Sequence, residues 1–297
     1  MFSIFVGAAV LMNRSFLQNV GGYDESMRLA EDTELGYRLY NAGAVFIPDL
    51  DSRAWHLGET TMTNHRDKLL EHNHALLSQR VPLLRKLRKN KSHITYKTPS
   101  VALNIKATEE SAARITVLIS DLLSGAAGFD AKINIILPQN FSEERYSPLN
   151  DSFYNIRKMV NCLSFDERVL FSRKIENFDR NSPFVMIVNK PVPIQFLKKM
   201  FTLINAKDVG FVGLPSLKGE PVAILYRQAA LARLNITNLS AYLHNSKQIG
   251  SVWGFWWISR FELVKKSTSR TTSTRVKSLR KRVLRKLRRL RNSVNKK

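Results

Sequence analysis

The sequence predicts an α/β chain of two folded parts followed by a basic amphipathic helix. Three observations lead there. From Val101 onward, short apolar runs alternate with helical stretches, the order of a strand–helix–strand sheet. Before that, residues 1 to about 60 break into short apolar and helical pieces, punctuated by Gly21-Gly22, Gly43 and Pro48. Residues 265–297 contain fifteen Lys and Arg and no acid, with apolar residues three or four apart.

The elements follow in order. Residues 3–12 form an apolar strand candidate. Residues 14–20 suit a short helix, ended by Gly21-Gly22, where positive φ costs little. A helix over 32–42 puts Leu35 and Leu39 on one face and stops at Gly43. Residues 44–47 read as a strand stopped by Pro48, and 61–77 as a polar helix. A strand over 101–105, a helix over 109–123 and a strand over 131–137 open a second α/β part. Residues 140–182 give one helix, 152–159. Then come a buried strand (183–188), an amphipathic helix (192–205), strands at 209–212 and 222–226, and a short helix (228–234). The aromatic cluster Trp253, Phe255, Trp256 and Trp257 reads either as a core strand or as membrane-interface aromatics. Within the tail Val276, Leu279, Val283, Leu287, Leu290 and Val294 form one stripe.

Composition bounds what the chain can be. Its 297 residues suffice for two ordinary domains, and a hydrophobic content of 44% lets most of them bury a core. A single cysteine, Cys162, excludes an internal disulfide and a cysteine-rich zinc site, and fits a reducing compartment. No apolar run reaches the roughly 18 residues of a membrane-spanning helix. The apolar start, residues 1–6, lacks the basic lead of a signal peptide. The formal charge of +23 is mostly that of the tail.

One constellation carries chemistry. Val20-Gly21-Gly22-Tyr23-Asp24-Glu25 is followed by Glu31-Asp32-Thr33-Glu34-Leu35, Arg38-Leu39, Gly43 and Trp55-His56. In this order the residues resemble the acceptor half of family 2 glycosyltransferases with the GT-A fold, a Rossmann-like α/β architecture. The resemblance implies that Asp32 is the base that deprotonates the attacking sugar hydroxyl. It implies that Glu31 hydrogen-bonds the acceptor and that His56 is a metal ligand. Arg38 reads instead as an i, i+4 partner of Glu34. The strand–helix order after residue 98 also resembles a GT-A domain. There, however, the strand that should end in Asp-x-Asp ends in Asn189-Lys190-Pro191, so this second domain reads as degenerate. Asp49-Leu50-Asp51 has the right letters in the wrong place and reads as a polar loop. The expected organisation is therefore an acceptor-side GT-A part (1–97), a degenerate GT-A-like domain (98–264) and a basic tail (265–297).

The resemblance implies a nucleotide-sugar donor, Mg²⁺ or Mn²⁺ in the complete enzyme, and a glycan or lipid-linked acceptor in cell-envelope polysaccharide synthesis. One imidazole holds a hard cation poorly. Without an Asp-x-Asp half, the chain alone is expected to have little or no transferase activity, as a fragment or a product of an internal start. The alternative is a non-catalytic scaffold or glycan-binding partner of an active transferase. For the tail, Lys281, Arg282, Arg285, Lys286, Arg288 and Arg289 are the expected contacts with an anionic membrane, which places the protein at the cytoplasmic face of the cell membrane. A solvated extension is the second reading. Nucleic acid is the least favoured, because the basic residues are not interleaved with aromatic stacking platforms.

Overall fold

Five apolar runs, Val101–Lys106 (β1), Ala131–Ile136 (β2), Phe184–Val188 (β4), Phe211–Leu214 (β5) and Ala223–Arg227 (β6), form most of one sheet in this computed structural model. Near-continuous burial along them is the pattern of strands covered on both faces. Two short strands complete it, Val169–Ser172 (β3) and Phe255–Trp257 (β7), giving the order β3-β2-β1-β4-β6-β5-β7. β1, β2, β3 and β4 pair in parallel, while β6 runs antiparallel to both β4 and β5. The fold is thus mixed α/β, as the alternation of elements predicts. The structure describes residues 5, 9–27, 29–55, 57, 65–88, 95–142, 149–216 and 221–258.

The crossover helices are Ala112–Leu123 (α4), Tyr154–Leu163 (α5) and Ile194–Ala206 (α6); each turns an apolar face inward, and α4 packs against both α5 and α6. Gln228–Arg233 (α7) follows β6 directly, and Tyr242–Val252 (α8) packs against β5. Ahead of the sheet lie Arg14–Asn19 (α1), Glu31–Asn41 (α2) and Arg66–Arg80 (α3). No helix among the described residues is long and apolar enough to cross a membrane.

α2 is the hub of the first hundred residues. Leu35 and Leu39 sit in one apolar cluster with Phe5, Phe16 and Val20. Tyr37 and Tyr40 sit in a second cluster with Leu77, Val81 and Ala229 of α7. The sheet begins at Val101, after these helices. Contacts group Met1–Trp256 into one unit; of the second, Trp257–Lys297, only its first two residues are described. Gly43 shows how closely the parts meet. Its φ is +96°, and an added Cβ would lie 2.8 Å from the backbone nitrogen of Arg233.

Tyr226 gives the sheet a pH-sensitive point. Its ring is fully buried, its hydroxyl donates to Leu239 O (3.2 Å), and burial pushes its phenol up to about 12. The neutral phenol is the form the fold holds, so its contribution is complete below the ordinary value of 10.0. It is lost as pH rises towards 12, at roughly 1.4 kcal/mol per unit and about 3 kcal/mol in all. Denaturant titrations at pH 9 and 11.5 should show that fall. Tyr226→Phe should remove part of it, because burial also raises Tyr37 and Tyr40.

Candidate functional site

The Gly21-Gly22 turn is built by Arg38. Its Nε donates to both carboxylate oxygens of Glu34 (2.9 Å each), and its terminal nitrogens donate to Val20 O and to Gly22 O (2.6 Å). The i, i+4 pairing with Glu34 is therefore present, and the same fork also clamps the turn onto α2. Glu34 is only 5% exposed. Arg38→Lys keeps the charge but loses the fork. It should cost about 1–3 kcal/mol in denaturant unfolding, because buried acceptors lose their donors.

This clamp sets the start of α2, where the two proposed site carboxylates lie. Its capping residue is Ala30, in the left-handed region at φ 64°, so Asp32 sits inside the first turn rather than capping it. Asp32 Oδ1 accepts from Thr33 N (2.6 Å) and Thr33 Oγ1 (3.3 Å). Glu31 and Asp32 are both half-buried, and Glu31 Oε2 is a buried acceptor with no hydrogen-bond partner among the described residues. Tyr23 stands with them: burial pushes its phenol up first, then the charges of Asp32 and Glu31. Sequence reasoning passed over Tyr23, although it lies inside the motif. Asp24 braces the turn from below. It accepts from Ser26 and pairs with Arg80 of α3, and these bonds, Ser26 first, hold its carboxyl below the usual range.

Residues 44–48 form neither helix nor strand and pair with no strand among the described residues. The strand predicted over 44–47 is therefore corrected: pairing needs a neighbour, and none of the described strands lies beside it. Asp49 accepts from Asp51 N (3.0 Å) and Ser52 Oγ (2.6 Å), a self-contained polar turn. His56 lies outside the described residues, as do the six basic tail positions and the tail helix. Among the described residues no three His, Cys, Asp or Glu come together as metal ligands. These residues alone do not fit a divalent cation.

Three cavities adjoin these elements. One of about 300 Å³ lies under the clamped turn, lined by Asp24, Glu34, Tyr37, Arg38 and Arg80 among others. One of about 260 Å³ lies at the amino ends of β2 and β3, beside Tyr96, Asp130, Lys132 and Arg168. That is the wrong end for a nucleotide, which open α/β sheets take at the carboxyl ends of their strands. At those ends two polar side chains, Glu109 and Asn189, are engaged within the fold. Glu109 accepts from Asn155 N (2.7 Å) and Ile156 N (3.2 Å), capping α5, and the Asn189 side chain donates to Pro221 O (2.9 Å). The third is a groove of about 810 Å³ between the end of α2, the β3–β4 loop and α7. Neither Asp32 nor Glu31 lines any of the three.

No family model matches the sequence, and no curated protein matches it significantly. Among solved structures, the chain is similar to a protein from Desulfovibrio desulfuricans described as a nucleotide-diphospho-sugar transferase, at 8% identity and a TM-score of 0.34, covering 54% of this chain and 79% of the other. It is also similar to a mannosyltransferase from Pyrobaculum calidifontis in complex with GDP-Man and Mn²⁺, at 12% identity and a TM-score of 0.33, covering 64% of this chain and 65% of the other. At these scores neither likeness assigns a function to this chain.

Proposed function

We propose that the chain is the acceptor-side part of an inverting glycosyltransferase of the family 2, GT-A type. It would move a sugar from a nucleotide-sugar to a glycan or lipid-linked acceptor in cell-envelope polysaccharide synthesis. The donor side would come from another segment or a companion chain. The observation that carries this reading is a set of exposed apolar side chains on the segment that follows α2. Ile47, Leu50, Trp55 and Leu57 are 84–91% exposed along a segment without a strand partner. Exposed apolar side chains on a segment that pairs with no described strand are what a missing neighbour would leave behind.

In this reading the clamped turn fixes the start of α2, and α2 presents Asp32 at the margin where the donor half would close the cleft. Asp32 takes the proton of the acceptor hydroxyl as its oxygen bonds to the anomeric carbon. The bond from that carbon to the diphosphate breaks on the opposite side, and the nucleoside diphosphate leaves with the electron pair. Glu31, with one carboxylate oxygen unanswered among the described residues, holds the acceptor. A divalent cation would belong to the donor side, with His56 as this chain's contribution. The sheet part, which has Asn189-Lys190-Pro191 where an Asp-x-Asp would stand and whose Glu109 and Asn189 are engaged in its own loops, would bind no nucleotide. The basic tail would hold the assembly on the anionic inner face of the cell membrane.

The test is a titration of the chain alone with nucleoside-diphosphate sugars and Mn²⁺. No saturable binding up to millimolar concentration is expected. Metal-dependent binding in the micromolar range would make the sheet unit itself a donor site and overturn this division of labour.

A further inference from the structure

The cavity of about 300 Å³ under the clamped turn has charge left over. Five charged side chains line it: Asp24, Glu34, Arg38, Arg80 and Lys97. Glu34 is answered by three bonds from Arg38, and Asp24 by Arg80 and Ser26. Lys97 makes no ion pair among the described residues, so three cations against two carboxylates leave the wall with a net charge of +1. Behind it stands one charge of each sign, Arg88 and Asp179, both felt by the Tyr37 phenol.

The backbone brings the spare donors together. Gln79 accepts from Thr98 N at its carbonyl (2.9 Å) and from Lys97 N at Oε1 (2.9 Å), which sets residues 97 and 98 beside the end of α3, where Arg80 follows Gln79. Arg80 commits its terminal nitrogens to Asp24 and to Ser26 Oγ (3.5 Å), and its Nε has no partner among the described residues. Thr98 lines the cavity and is only 7% exposed, yet its hydroxyl makes no hydrogen bond among the described residues and is not shut off from solvent. The spare groups are thus an ammonium, a guanidinium N–H and a hydroxyl, donors with an excess of positive charge. They match an oxyanion. A carboxylate offers two oxygens to these three donors, and a terminal phosphate offers three. The volume stands at the lower end of ligand sites, which run from about 300 to 1,000 Å³, and so suits a small molecule.

We propose that this cavity binds a terminal phosphate, free or carried on a small organic molecule, through Arg80, Lys97 and Thr98. Bound there, it joins the end of α3 to the residues that lead into β1, under the turn that positions α2. A nucleotide-sugar has no terminal phosphate, so the site is separate from donor binding and stands or falls apart from the transferase reading.

The test is calorimetric titration of the full chain at fixed ionic strength with inorganic phosphate and with glycerol 3-phosphate, and with acetate as the carboxylate control. One saturable equivalent of phosphate is expected. Tighter binding of glycerol 3-phosphate assigns the cavity to a carried phosphate, and tighter binding of the inorganic ion to a free one. Thr98→Val keeps the shape of a side chain whose hydroxyl has no partner to lose, and Lys97→Gln changes an exposed position, so both should fold as the parent does. Thr98→Val should weaken binding about three- to tenfold and Lys97→Gln about tenfold or more, the usual range for a neutral and a charge-assisted hydrogen bond. Phosphate held by the basic tail alone would ignore both variants, and that result would overturn the proposal. So would the absence of saturable phosphate binding, or acetate bound as tightly as phosphate.

Discussion

Asn in place of Asp32, in a protein carrying both halves, should slow sugar transfer by about 10²–10⁴-fold, the usual contribution of a positioned general base. Nucleotide-sugar affinity should change little, because the donor sits on the other half. The size of the effect separates two roles. A carboxylate that only favours the first turn of α2 through the helix dipole is worth about 0.3–1 kcal/mol of stability and nothing in turnover. The structure has already removed one such role, since Ala30 is the capping residue. Asn keeps the shape and can still accept from Thr33 N, so a rate loss in a folded variant would report the lost base. Initial rates and a denaturation curve on the same preparation decide it.

Arg227→Ala should cost about 3–5 kcal/mol of folding free energy. The guanidinium is 5% exposed and donates to Val209 O (3.2 Å), Ile204 O (2.8 Å) and Tyr40 Oη (3.1 Å). Truncation strands two carbonyls and a hydroxyl, and opens a cavity between the rings of Phe184 and Trp253, which the guanidinium covers. Its ion pair with Asp208 adds little, because that carboxylate is 79% exposed. Asp208→Asn should therefore be nearly neutral in the same urea titration, while Arg227→Ala shifts the midpoint strongly.

Much of the sheet was legible because its signal is local. β1, β2, β4 and β6 are short, mostly apolar runs bounded by turn residues, and they lie within a residue or two of their expected positions. β3 is only Val-Leu-Phe-Ser between Arg168 and Arg173, too short for a period to show. α8 mixes His, Asn, Ser, Lys and Gln into its turns and carries no side-chain cap, so its helical period is weak. The piece 44–48 is no strand for the opposite reason: its sequence suits pairing, but pairing depends on a neighbour. At the site, the Gly-Gly turn, the acidic pair and the Glu34–Arg38 contact could be read from spacing. The carbonyl bonds of Arg38 and the left-handed Ala30 could not, since both depend on how the turn folds back over α2. Still less could the groove between α2 and α7, whose lining residues run from Asn19 to Thr237 and meet only in three dimensions.

The most direct measurement is transfer of radiolabelled sugar from nucleotide-sugars with Mn²⁺ and a glycan acceptor. It would compare this chain, a nucleotide-binding half supplied upstream of it, and the two joined. Turnover from the joined protein alone is the outcome that fits an acceptor wall completed by a donor half. Equal turnover from the upstream half by itself, or none from any preparation, would contradict it.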